Sequence, residues 1–352
     1  MSVRSALIGV ALVALGTATA SAEDRIIYTG VGSVTSEYWS DFNQGAGAVA
    51  KSVGASTKTF ASEFQGQRLL EQFGPIFAQG CSNCAVAADP ASNAFTKALV
   101  QRADKAGAFI VTIWNRPDDI HPWDTASKHW VAHTQFDGVD SGYRNGMALC
   151  KAIGGQGGIV ALQGIPDNPS AKQRLTGLDK ALAECPGMKL LSTQSAAWDQ
   201  TKAQSVVRAW LAQYGDQIKG IFSSNDGMAI GAVAALKEAG LNGKVFLTGS
   251  DGSRDALELV KSGDMLSTMW VDPTYQGAIG SALAYAALVG DIDPVKLTHE
   301  QRDFYLKQTL VTKQNADAIL NRKFDPSLYF YNKLKQNFWA NVTGEVEPGA
   351  NK

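Results

Sequence analysis

The 352-residue chain is poor in the residues that usually announce chemistry, with four cysteines, four histidines and a net charge of −1. A balance so close to neutral gives no reason to expect nucleic acid as a partner. One C-x-x-C is present, Cys81 and Cys84. Of His121, His129, His133 and His299, only His129 and His133 are spaced H-x₃-H. With no second C-x-x-C to complete a four-ligand set, no metal site is expected. The phosphate-cradling G-x-x-x-x-G-K-[ST] is missing, and GGQGG at 154–158 precedes a strand-like run where a nucleotide motif would follow one. The nucleophile motif G-x-S-x-G is absent as well. No cofactor and no catalytic residue are expected. Nor does any apolar run reach the ~20 residues of a membrane span.

What the chain does have begins at its first residue. Arg4, an apolar stretch from Ala6 to Leu15 and the small residues Ala20-Ser21-Ala22 have the three-part form of a secretory signal peptide. Residues 1–22 are therefore expected to be cleaved and the protein exported. In an oxidising compartment the cysteines become candidates for disulfides. Cys150 and Cys185 close consecutive predicted helices with one strand between them, which makes them the first-choice bridge. Cys81 and Cys84 would form a tight local one.

Beyond the leader, apolar runs of strand length alternate with helical segments. Nine runs stand out: 25–30, 57–62, 84–88, 108–114, 158–164, 189–194, 218–222, 244–250 and 266–270. Continuous apolar strands separated by helices indicate parallel sheets covered on both faces. Nine strands exceed one such unit, so two doubly wound α/β lobes are expected. The turn-rich, aromatic segment RPDDIHPWDTASKHWVAHTQFDGVDSGYRNG reads as the crossing between them.

Polar and aromatic residues recur at the carboxyl ends of these runs, where open α/β sheets bind ligands. Ser36, Tyr38 and Trp39 follow the first run, Asp89 the third, and Asn115 and Arg116 the fourth. Arg174, Trp198, Asn225 and Asp251 follow later ones. Any single Asp or Asn here is as readily a helix N-cap. Their recurrence at successive strand ends points instead to a cleft. Aromatic faces cover the C–H surface of a sugar ring while planar polar groups bond its hydroxyls.

Three segments, in this order and behind a signal peptide, resemble the ribose/galactose-type periplasmic sugar-binding proteins of ABC importers. They are GIVALQGIPDNPSAKQRLTGLDKAL, IFSSNDGMAIGAVAALKEAG and the LTGSDG run, with QTLVTKQN at 308–315 similar to the last hinge crossing. The resemblance implies a type I binding-protein fold with a three-segment hinge. Its N-terminal lobe would comprise 23–136 plus 272–307, and its C-terminal lobe 137–271 plus 308–352 with an extended tail. It implies ligand contacts from Tyr38, Trp39, Asp89, Asn115 and Arg116 in the first lobe, and from Arg174, Trp198, Asn225 and Asp251 in the second. Asn225 would contact ligand and Asp226 would cap the helix. Val271 stands where a polar hinge residue is frequent, Asn115 where many members have Asp, and Ser36 where Asn is common. The ligand class therefore stays open among pentose, hexose, deoxysugar and linear polyol. The implied partners are such a ligand and an inner-membrane permease, the expected state is a periplasmic monomer, and no nucleic acid is involved. A secreted carbohydrate-active enzyme and a sensory binding protein feeding a chemoreceptor or sensor kinase are the alternatives.

Overall fold

The computed structural model describes residues 25–345; the expected signal peptide lies outside the described residues. Among the described residues, thirteen strands build two sheets. Those of the first are β1 (Ile26–Val31), β2 (Ser56–Ala61), β3 (Cys84–Ala88), β4 (Phe109–Ile113), β5 (Trp130–Phe136), and, much later in the chain, β11 (Asp303–Leu306) and β13 (Val342–Glu345). The second holds β6 (Gly157–Gln163), β7 (Met188–Ser195), β8 (Ile218–Ser223), β9 (Phe246–Asp251), β10 (Ser267–Trp270) and β12 (Thr309–Thr312). Spatial order is β13-β11-β5-β4-β3-β1-β2 in the first and β12-β10-β9-β8-β6-β7 in the second. All pairings are parallel except β11 with β13 and β10 with β12. The protein is thus an α/β chain of two doubly wound lobes.

Central strands show why. Every residue of β3, CAVAA, is buried, whereas the edge strand β2, STKTFA, is largely exposed. A parallel sheet covered by helices on both faces needs the first pattern inside and tolerates the second at its rim. The helix Pro273–Leu288 carries alanine, glycine and isoleucine around its circumference and is buried for nearly its whole length. It lies against β3, β4 and the helix Glu37–Val53. A Cβ at Gly45 would fall 1.9 Å from the Thr274 carbonyl oxygen, so only glycine permits that approach.

β5 lies inside the segment expected to be only a domain crossing. All seven of its residues are buried, but His133, Thr134 and Gln135 interrupt the apolar run that would have revealed it. His133 Nδ1 shares a hydrogen bond with Thr112 Oγ1 at 2.9 Å, and Trp130 Nε1 donates to the same hydroxyl.

The chain crosses between sheets four times: after β5 at Asp137, after β10 at Asp272, from β11 to β12, and from β12 to β13. Gln308 Nε2 ties two crossings together by donating to Asp137 O and Asp140 Oδ2. The expectation that 308–352 stays with the second lobe needs correcting. β12 and the helix Ala316–Leu320 belong there, but Pro326–Tyr329 packs on the helix Glu37–Val53 and β13 pairs with β11. The reason is the edge left bare by β11, whose unpaired N–H and C=O groups β13 satisfies.

Both expected disulfides are present, Cys81–Cys84 and Cys150–Cys185. The second joins the end of the helix Gly138–Ala152 to the end of Pro169–Glu184, clamping the layer those two helices form over the second sheet. No helix among the described residues is long and apolar enough to cross a membrane.

Candidate functional site

A cavity of about 650 Å³ lies between the carboxyl edges of the two sheets. Of the ten residues singled out from sequence, eight line it: Ser36, Tyr38, Trp39, Asp89, Arg174, Trp198, Asn225 and Asp251. Asn115 and Arg116 do not.

On the first-lobe side, Ser36 is the N-cap residue of the helix Glu37–Val53, without a side-chain capping bond. This start places Tyr38 and Trp39 in the first turn, their rings edge to face at 5.0 Å. Tyr38 accepts from Trp114 Nε1 at 3.0 Å and donates to Gln276 Oε1. Burial, then the nearby Asp251 carboxylate, pushes the Tyr38 hydroxyl well above its ordinary pKa, so it stays a donor. Asp89 is 3% exposed. Its Oδ1 accepts from Ala91 N–H at 3.0 Å and from Asn115 Nδ2 at 2.5 Å. Burial raises its pKa to about 6 against the pull of those two bonds.

Asn115 therefore acts behind the cavity wall, orienting Asp89. Arg116 is turned the other way. Its Nη2 meets Asp303 Oδ2 at 2.8 Å, with both side chains at most 3% exposed, and its Nη1 donates to the carbonyls of Pro117 and Ile120. A buried carboxylate at the start of β11 needs a counter-charge, and Arg116 supplies it. The expected ligand contact from Arg116 is corrected to an ion pair inside the first lobe.

Trp114 takes the place in the cavity that sequence gave to its two neighbours. β4 ends at Ile113, and Trp114 enters the left-handed region at φ 62°, which swings its ring to the cavity wall beside Tyr38. Nothing in the sequence marks this, because the run AFIVTIW reads as unbroken strand.

On the second-lobe side, Arg174 projects from the helix Pro169–Glu184. Nη1 donates to Ser224 O at 2.6 Å, and Nη2 stands 3.6 Å from Asp251 Oδ1. Its guanidinium lies 5.6 Å from the Trp114 ring centroid and 5.9 Å from that of Trp198, one ring from each lobe. Such cation–π contacts hold the planar fork in place while its face stays apolar. Burial raises the Asp251 pKa to about 7, with Arg174 opposing and Asp226 adding to the rise.

The Asn225-Asp226 pair has its two roles arranged differently from expectation. Asn225 is the N-cap of the helix Asp226–Glu238, its Oδ1 accepting from Met228 N–H at 3.0 Å, and it also borders the cavity. Asp226 is 1% exposed and braces the neighbouring strands. Its Oδ1 accepts from Thr268 Oγ1 at 2.6 Å and its Oδ2 from Ser253 N–H at 2.7 Å. One short side chain can cap and still present its amide edge, whereas a buried carboxylate needs donors on both oxygens.

Trp198, at φ 66°, lies over Gly164, where a Cβ would come within 2.1 Å of the indole ring. Gly164→Ala is accordingly expected to displace this ring and weaken ligand binding about tenfold at little cost in folding stability, as loss of one aromatic contact implies. Calorimetry beside a urea titration checks this; unchanged affinity would refute the placement of the ring in the site.

Across the cleft mouth, both oxygens of Glu37 accept from the backbone N–H of Arg254, at 3.1 and 3.2 Å. A first-lobe carboxylate thereby caps the second-lobe helix Arg254–Ser262, a favourable match to the positive end of that helix.

Comparison with known proteins agrees with this architecture. Residues 27–292 match the model of the periplasmic binding protein domain. A xylitol-binding protein of Mycolicibacterium smegmatis is 32% identical over 220 residues, which are 61% of this chain and 60% of that protein. The D-allose-binding periplasmic protein of Escherichia coli is 31% identical over 254 residues, 71% of this chain and 80% of that one. Among solved structures, a twin-arginine translocation pathway signal protein from Burkholderia phytofirmans superposes with a TM-score of 0.86 at 34% identity, covering 92% of this chain and 98% of that one. An ABC transporter periplasmic solute-binding protein from Actinobacillus succinogenes with bound D-allose gives 0.72 at 29% identity, covering 84% and 99%. With two wound sheets, four crossings, a cleft at the strand ends and a family match over most of its length, the chain belongs to the periplasmic binding protein family.

Proposed function

We propose that this protein captures a small sugar or polyol between its two lobes and delivers it to an ABC importer, without chemical change to the ligand. The observation that carries this reading is the cavity itself, to which each lobe contributes both aromatic faces and hydrogen-bonding groups. A ligand gripped from both sides binds the closed form better than the open one, and that differential affinity drives closure. Micromolar binding requires about −8 kcal/mol, which a few charge-assisted hydrogen bonds at ~1.5–3 kcal/mol each and two ring faces can supply. Relatives that bind xylitol and D-allose by name support the ligand class. Export to the periplasm by a cleaved leader and a monomeric state complete the reading, and the permease is its membrane partner.

The test is a panel of pentoses, hexoses and linear polyols, followed by calorimetry, with small-angle scattering on any that bind. Stoichiometric binding accompanied by a smaller radius of gyration is expected. Turnover of a panel member detected by chromatography would favour an enzyme instead, and failure of every member to bind would remove the sugar-or-polyol reading.

A further inference from the structure

The cavity is charged unevenly. Its first-lobe wall contains the carboxylates Glu37, Asp41, Glu63 and Asp89 and no lysine, arginine or histidine, whereas the opposite wall sets Arg174 among Asp199, Asp226, Asp251 and Asp255. Arg116, the cation nearest in sequence, is consumed by Asp303 inside the lobe. Glu37 is engaged at the mouth by Arg254 N–H, and Asp41 Oδ1 accepts from Gln44. Asp89 is different. It is nearly fully buried, and both of its protein donors, Ala91 N–H and Asn115 Nδ2, use the same oxygen, Oδ1. Oδ2 is left to the cavity. Tyr38, Trp39 and Trp114 border the same wall.

A carboxylate without a counter-cation, set among aromatic faces, suits a cationic guest. The ring faces are negative, and in a desolvated site they add to the attraction of the carboxylate. A hydroxyl could also donate to Asp89, but it would leave the buried charge uncompensated. The raised pKa of Asp89, at about 6, and that of Asp41, also about 6, fit a wall with no cation of its own.

Building on the sugar-or-polyol reading, we propose that the ligand carries a protonated amine, as in an amino sugar or amino polyol. Asp89 Oδ2 holds the ammonium against the first-lobe rings, and Arg174, Asn225 and Asp251 take hydroxyls on the other wall.

Matched pairs test this by calorimetry on the purified protein: sorbitol against glucamine, glucose against glucosamine, and galactose against galactosamine. The amino member of at least one pair is expected to bind tenfold or more tighter than its neutral partner, the advantage a charge-assisted bond gives, at about one order of magnitude or more. Asp89→Asn keeps an oxygen for Ala91 N–H and removes the charge, so in this variant the preference should fall below about threefold. Neutral members binding as tightly as amines, or a preference that survives in Asp89→Asn, would overturn the ammonium inference while leaving the sugar-or-polyol reading in place. Failure of both classes to bind would overturn the two together.

Discussion

Arg174→Met is expected to lower affinity for any ligand the wild-type protein binds by about a hundredfold, the scale seen when one partner of a buried, hydrogen-bonded charge pair is truncated. Arg174 is the one cation among the described residues lining the cavity. Its removal leaves Asp251 and Asp226 close together with nothing positive between them. The Asp251 pKa, already at about 7 with Arg174 opposing the rise, moves higher still. At neutral pH the side chain then holds a proton and ceases to be a charged acceptor. The contacts of the guanidinium with Trp114 and Trp198 disappear as well, so closure loses a link between the lobes. Arg174→Lys restores a charge without the planar fork, and should recover only part of the loss. Calorimetry on the three proteins decides the matter. Binding by Arg174→Met within threefold of wild type would show that this arginine is a structural prop and not part of the site.

Arg302→Met is the second large effect, and it concerns folding. Arg302 is 2% exposed and has no hydrogen-bonded carboxylate partner among the described residues. Its guanidinium instead donates to the carbonyls of Val131, Pro122, Ser127 and Trp130. Burial lowers its pKa to about 10, which leaves it charged under physiological conditions. The segment from Pro122 to Val131 thus folds around one cation at the end of the short helix His299–Arg302, just before β11. Methionine would fill much of the volume but satisfy none of those carbonyls. Each buried acceptor left unpaired costs about 1–3 kcal/mol, so a loss of about 3–5 kcal/mol is expected for the whole set after relaxation. Urea denaturation measures it. A midpoint and slope equal to those of the wild type would mean the carbonyls find other donors, and the segment from Pro122 to Val131 does not depend on Arg302.

The two predictions differ in how visible their residues are in sequence. Arg174 stands out because it follows a strand-like run and sits in a segment that resembles a known family. Arg302 lies in LTHEQRDF, an unremarkable polar stretch, and its importance depends on a loop more than 170 residues earlier. Helix caps are intermediate. Asn225 and Asp226 were correctly placed at a strand-to-helix change, but the division of labour between them depends on Thr268 and Ser253, which reach Asp226 from other elements.

The sequence by itself determined the α/β class, the alternation that makes two wound sheets, the two disulfides and eight of the residues that line the cleft. These follow from local signals: apolar period, glycine and proline punctuation, and polar residues at strand ends. Tertiary structure decided which of those residues face the cleft. Trp114 enters it and Arg116 leaves it because of a left-handed residue and a buried Asp303 distant in the chain. It also decided that the tail returns to the first lobe, where β11 offers an unpaired edge. A side chain's direction is set by backbone handedness and by the partners that compete for it, and those partners are neighbours only once the chain has folded.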